Sequence, residues 1–209
     1  MNIEVRNFTK IIRKGTVLED INLDFESGYI YGLTGQNGSG KTMLLRAIAG
    51  LIRPTSGEVI VDGLMLHKDI SFPPNMGILI EKPTFMNYLT GYENLKFLAE
   101  IRNIVSYEKI EKYMQMFGLD PHSKKPVKKY SLGMKQKLGI IQAIMEDQQI
   151  LILDEAFNAL DESSVSTLRK LLQQYKNEGK LIILTSHNKE DIEVMCDYNY
   201  HISNGKILS

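Results

Sequence analysis

The stretch that most restricts this chain is Gly35-Gln36-Asn37-Gly38-Ser39-Gly40-Lys41-Thr42. It fits the pattern G-x-x-x-x-G-K-[ST] and lies between an apolar run at 29–33 and a helical pattern over 42–51. Its glycines allow backbone conformations closed to residues with a Cβ, so successive N–H groups can converge on one anion. The helix that follows aims its positive end at the same point. Lys41 is placed to reach β- and γ-phosphates, and the Thr42 hydroxyl to ligate Mg²⁺. A glycine-rich turn with an incidental lysine is the bland alternative. The strand before and the helix after favour a loop that holds a nucleotide polyphosphate, with all eight residues as its contacts.

Around this loop the chain alternates between strand and helix patterns. Period-two patterning in "NIEV" and "TVLEDINLDFESGYIYGL" predicts short antiparallel strands leading into a buried strand at 29–33. "GEVIVDG" reads as a further strand closed by a turn. From residue 84 to 146 the spacing is helical, as at Leu138, Ile141, Ile144 and Met145, and the segment is expected to be an inserted helical subdomain. Beta character returns in "QILILDE", followed by a helix near 163–178 and the strand "KLIILTSH". Short, fully apolar strands separated by helices indicate an α/β fold with a parallel sheet covered on both faces.

With 209 residues, one domain of this kind is expected, its core formed by 1–83 and 147–209. The 25 acidic residues balance 25 basic ones, so net charge offers no reason to expect a nucleic-acid partner. Cys196 is the only cysteine, which excludes an internal disulfide and fits a buried structural thiol. The opening "MNIEVRNFTK" lacks a signal-peptide core, and "ILIL" and "LIIL" are too short to span a bilayer. The expectation is a cytoplasmic protein that forms no membrane path by itself. "KKPVKK", at 124–129, reads as a solvated loop between helices rather than a binding patch.

Hydrolysis needs a carboxylate to position Mg²⁺ and a group to orient water. Asp154 and Glu155 close the strand "ILIL" and are expected at the carboxyl edge of the sheet, where such sites lie. One of the two carboxylates can hold a metal-bound water while its neighbour polarises the nucleophile. His187 ends "LIILTSH", which puts it on the same edge, within reach of a γ-phosphate or its attacking water. A competing reading is guanine recognition, because "NKED" at 188–191 fits N-K-x-D. It is disfavoured, since Asp154-Glu155-Ala156-Phe157 lacks the glycine of a D-x-x-G switch.

Assembled in this order, the motifs resemble the nucleotide-binding domain of ABC transporters over essentially the whole chain. "GQNGSGKT" looks like Walker A, "ILILDE" like Walker B, "YSLGMKQ" like the signature, and "NALD" like the D-loop. The resemblance implies a P-loop NTPase core of RecA type with an N-terminal antiparallel β subdomain. It also implies ATP and Mg²⁺ as ligands, with Glu155 as catalytic base and His187 as switch histidine. Ser131 suits a helix N-cap, and in the family that helix end meets the γ-phosphate held by a second nucleotide-binding domain. Ser131 and Gly133 are therefore expected to act in trans, with Asp161 across the same interface. The implied partners are a second such domain, identical or similar, and a separate transmembrane permease at the inner face of the membrane.

Three positions depart from the family pattern. Leu132 stands where the signature often has glycine, and Glu81 stands at the Q-loop position after "MGILI", where it is a candidate Mg²⁺ ligand. Ile12 falls where many relatives stack an aromatic on adenine, so base discrimination is expected to be modest. "LIEKPTFMNYLTGYENL" resembles exporters associated with peptide antibiotic resistance and bacteriocin immunity. A non-transport ATPase of the same family, acting on ribosomes or DNA, and a binding-only regulatory domain are the alternatives.

Overall fold

The computed structural model describes every residue except Lys14, His187 and Ser209. Strands β1 (Asn2–Ile12) and β2 (Gly15–Glu26) form an antiparallel hairpin, and β1 also pairs with β4 (Ser56–Val61). With β5 (Leu64–Met65) they make a four-stranded sheet in the order β2-β1-β4-β5. The strands are longer than the expected short ones, because register shifts along β1 let the hairpin twist without ending it.

The second sheet has the order β10-β9-β3-β8-β7-β6. Its parallel part comprises β3 (Ile30–Thr34), β6 (Met76–Leu79), β7 (Ile150–Leu153), β8 (Leu181–Thr185) and β9 (Tyr198–Ser203). The last strand, β10 (Lys206–Leu208), returns antiparallel on β9. Apolar composition explains the burial. Ile150 and Ile152 face the cluster shared with the antiparallel sheet, whereas Leu151 and Leu153 face the helices, so β7 is buried on both sides.

Helix α1 (Lys41–Ile48) packs Leu44, Leu45 and Ile48 into the cluster between the two sheets. It ends earlier than its apolar pattern, at a C-terminal cap built on Gly50 (φ 73°), where Leu51 N–H reaches the Arg46 carbonyl and Gly50 N–H that of Ala47. Between β6 and β7 lie α2 (Gly91–Arg102), α3 (Tyr107–Met116) and α4 (Leu132–Ile144). Residues 84–90 and 117–131 of this segment are not α-helical, apart from a short 3₁₀ turn at Val127–Lys129. The four lysines at 124, 125, 128 and 129 are exposed, while Val127 and Tyr130 between them are buried. α5 (Glu162–Asn177) and α6 (Lys189–Met195) complete the fold. The Cys196 thiol, half-buried against Gly32, is pushed up to about 12 by burial and by the nearby Asp197 and Asp191 carboxylates.

Candidate functional site

Because β3, β6, β7 and β8 are parallel, their carboxyl ends share one edge, and four connecting segments converge there. The first is the glycine loop. Gly35, Gly38 and Gly40 have φ of 143°, 79° and 115°, conformations that a Cβ disfavours. At Gly35 an added Cβ would lie 2.1 Å from the Ile202 carbonyl oxygen, so side-chain bulk is excluded there by β9 itself. Ser39 is buried, donates its N–H to the Gln36 carbonyl at 3.1 Å and accepts from Gly205 N–H at 2.9 Å, which closes the loop. Gln36 and Asn37 are exposed at its tip. Lys41 is buried, and its Nζ donates to the Gly35 and Gln36 carbonyls at 2.7 and 3.1 Å, so the ammonium is held beneath the curve.

The helix that leaves this loop differs from the others. α2, α3, α4, α5 and α6 are each capped by a side chain, from Thr90, Ser106, Ser131, Asp161 and Asn188. α1 starts at Gly40 with no side-chain cap and no acidic residue in its first turn. Its first N–H donors and its dipole therefore point at the loop's concavity, which fits a polyphosphate.

The second segment follows β7. Asp154 is buried and fixed from three directions: its N–H donates to the Leu79 carbonyl at 2.7 Å, Thr42 Oγ1 donates to its Oδ2 at 2.7 Å, and Thr185 Oγ1 donates to its Oδ1 at 2.7 Å. Thr42 and Asp154 thus present two adjacent oxygens, the hard donor type that Mg²⁺ takes together with phosphate and water. Glu155, at φ 52°, receives its own support from Thr185, which accepts the Glu155 N–H at 2.9 Å. Thr185, fully buried at the end of β8, was missed in the sequence reading; its signal is the hydroxyl pair Thr185-Ser186 that closes the apolar run "LIIL".

The third segment follows β6. Glu81 has φ 60° and pairs through Oε1 with Arg46 Nη2 of α1 at 2.7 Å. Both line a cleft of about 280 Å³ with Val17, Asn37, Gly38, Gly40, Lys41, Thr42, Met43, Asp154 and Glu155. The loop, the two carboxylates and Glu81 are therefore brought together. His187, expected at the end of the fourth segment, lies outside the described residues.

Ser131 is the N-cap of α4, accepting Met134 N–H at 3.2 Å, and it is exposed together with Leu132. Gly133 is packed so closely that an added Cβ would meet the Ala159 carbonyl oxygen at 2.5 Å. Asp161 caps α5, accepting Ser164 N–H at 2.9 Å and Lys137 Nζ at 2.6 Å. Those donors, with the Ser163 and Ser164 hydroxyls, hold its carboxyl well below the usual carboxylate range.

The family profile described as "ABC transporter" matches residues 18–158. An uncharacterized ABC transporter ATP-binding protein of Bacillus subtilis, YybJ, is 48% identical over 205 residues, covering 98% of this chain and 94% of that one. The chain belongs to the ABC transporter family, among its ATP-binding proteins. The bacitracin transport ATP-binding protein BcrA of Enterococcus faecalis is 42% identical over 197 residues, covering 93% of this chain and 64% of that protein. The fold is also that of a dimeric bacterial ABC transporter cassette, with a TM-score of 0.88 at 19% identity over 99% of this chain and 97% of that one.

Seen as an ABC ATP-binding protein, the chain keeps one expected contact, Ile12, away from this cleft. Ile12 is exposed at the end of β1, paired with Gly15, and does not line the cleft; Val17 from β2 does. The run "NKED", already disfavoured as a guanine reader, opens α6: Asn188 caps the helix by accepting Glu190 N–H at 3.0 Å, and the buried Asp191 accepts from Arg169 at 2.6 Å and Ser186 at 2.8 Å. No helix among the described residues is long and apolar enough to cross a membrane.

Proposed function

We propose that this ABC ATP-binding protein binds Mg²⁺-ATP at 35–42 and hydrolyses it, with a second copy or a similar chain completing the site. The observation that carries this reading is the Thr42–Asp154 hydrogen bond of 2.7 Å, which ties the start of the phosphate-loop helix to the strand end that bears Glu155. Lys41 and the uncapped N–H groups of α1 bind the polyphosphate, and Thr42 and Asp154 would hold Mg²⁺, which would supply positive charge against the phosphoryl group. Glu155 orients and deprotonates the attacking water. The oxygen–phosphorus bond to the γ-phosphate forms as the bond to the ADP oxygen breaks, and ADP and inorganic phosphate leave.

The exposed N-terminus of α4 at Ser131 meets the γ-phosphate bound by the opposite copy, and Asp161 sits across the same contact. ATP, gripped from both sides, favours the closed pair, and the products lose that bridge. A separate permease takes up the motion through the helical segment 84–146 and the Glu81 loop, which anchors the pair at the inner face of the membrane. The similarity to a bacitracin transport protein supports a peptide-antibiotic exporter role. The test is Glu155→Gln: turnover is expected to vanish while ATP-loaded dimers persist in size-exclusion chromatography. Normal turnover by that variant would overturn the reading.

A further inference from the structure

The cleft beside the phosphate loop has a charge problem. Among the described residues that line it, Glu81, Asp154 and Glu155 are carboxylates, and Lys41 and Arg46 are the cations. Asp154 has a defined place, held by Thr42 and Thr185. Glu81 has none of that support. It is exposed, its backbone is in the left-handed region at φ 60°, and its side chain forms an ion pair with Arg46 at 2.7 Å. Arg46 is presented by the same short helix that starts with Lys41 and Thr42, so its position is set by the element that carries the phosphate contacts.

We propose that Arg46 is a positioning residue for nucleotide binding: it draws the Glu81 carboxylate to the outer wall of the cleft and cancels its charge, which lets a polyanion enter. This rests on the nucleotide reading above and deepens it. A carboxylate within several ångströms of a polyphosphate repels it at the effective dielectric of a partly exposed site, and a guanidinium in direct contact removes most of that field. The side chains of Arg46 and Glu81 are 34% and 57% exposed, so the pair adds little to folding stability. Its consequence lies in ligand charge. The effect is largest for ATP without metal, which carries the most negative charge, and shrinks when Mg²⁺ neutralises part of it or when salt screens the cleft.

The experiment is calorimetric titration of the full chain with ATP, in EDTA and in Mg²⁺, for wild type, Arg46→Gln, Glu81→Gln and the double variant. Arg46→Gln is expected to weaken metal-free ATP binding by about tenfold. Glu81→Gln is expected to tighten it by about threefold, because Arg46 is then uncompensated. The double variant should return to within about twofold of wild type. Arg46→Lys, which keeps the charge, should stay near wild type. A double variant as weak as Arg46→Gln alone would overturn the proposal, since Arg46 would then act on the phosphates or on the fold directly. If Arg46→Gln does not fold, Glu81→Gln decides by itself, and absence of tightening overturns the proposal. Failure of wild type to bind ATP at all would refute the nucleotide reading, whereas normal wild-type binding with a double variant as weak as Arg46→Gln, or with no tightening in Glu81→Gln, refutes only the pairing.

Discussion

Gln136 of α4 donates through Nε2 to the Glu155 carbonyl at 3.0 Å and to the Ala156 carbonyl at 3.2 Å. The helix that begins at Ser131 and the segment that carries the proposed base are thereby one mechanical unit, joined by a buried amide. Movement of the α4 terminus on pairing with a second copy would be felt directly at Glu155.

Gln136→Ala removes both donors and leaves two carbonyls to find other partners. The variant is expected to lose about 1–3 kcal/mol of stability in urea unfolding. ATP affinity should change little, because the phosphate loop is untouched, while kcat falls. A variant with wild-type kcat would show that this link does not position Glu155.

Two glycines of the phosphate loop separate steric from conformational demand. Gly35→Ala places a Cβ against the Ile202 carbonyl at 2.1 Å and is expected to cost about 3 kcal/mol or more. Gly38→Ala meets nothing within 4 Å but keeps φ at 79°, which should cost only about 1–2 kcal/mol. Thermal unfolding of the two variants measures the difference. Equal losses would mean that loop conformation alone governs both sites.

Asp161 makes a pH-dependent contribution whose sign follows from its partners. Its folded-state carboxyl is held below the ordinary value of 3.8 first by Lys137, then by Ser163 and Ser164. Protonation therefore favours the unfolded chain: the contribution is present above the ordinary carboxylate range and is lost as pH falls below it. Urea unfolding between neutral pH and about pH 3 should show a shallower acid decline for Asp161→Asn than for wild type. Parallel curves would place the acid sensitivity on other carboxylates.

Much of the architecture was legible before any coordinates, because it rests on local pattern. "ILIL" and "LIIL" announce strands buried on both faces, and G-x-x-x-x-G-K-T is a turn, an anion cradle and a helix start in one run. Ser131 as a helix N-cap was readable for the same reason, since a cap depends only on its next three residues. Helix ends were less legible: α1 stops at Ile48, where the chain turns at Gly50, although apolar residues continue to Leu51. The N-K-x-D match was already weak without a D-x-x-G glycine, and within the fold Asn188 and Asp191 bond to Glu190, Arg169 and Ser186.

By itself the sequence determined the phosphate loop, the alternation of apolar strands with helices, and the strand-end acids Asp154 and Glu155, since each is encoded within a few neighbouring residues. Only the tertiary structure decided that Thr42 meets Asp154 across 112 positions, that Thr185 braces both acids, and that Glu81 is held by Arg46. Those relations arise where separate parallel strands end at a common edge. No local period records them, because strand order and register, set by packing of the whole sheet, choose which side chains meet.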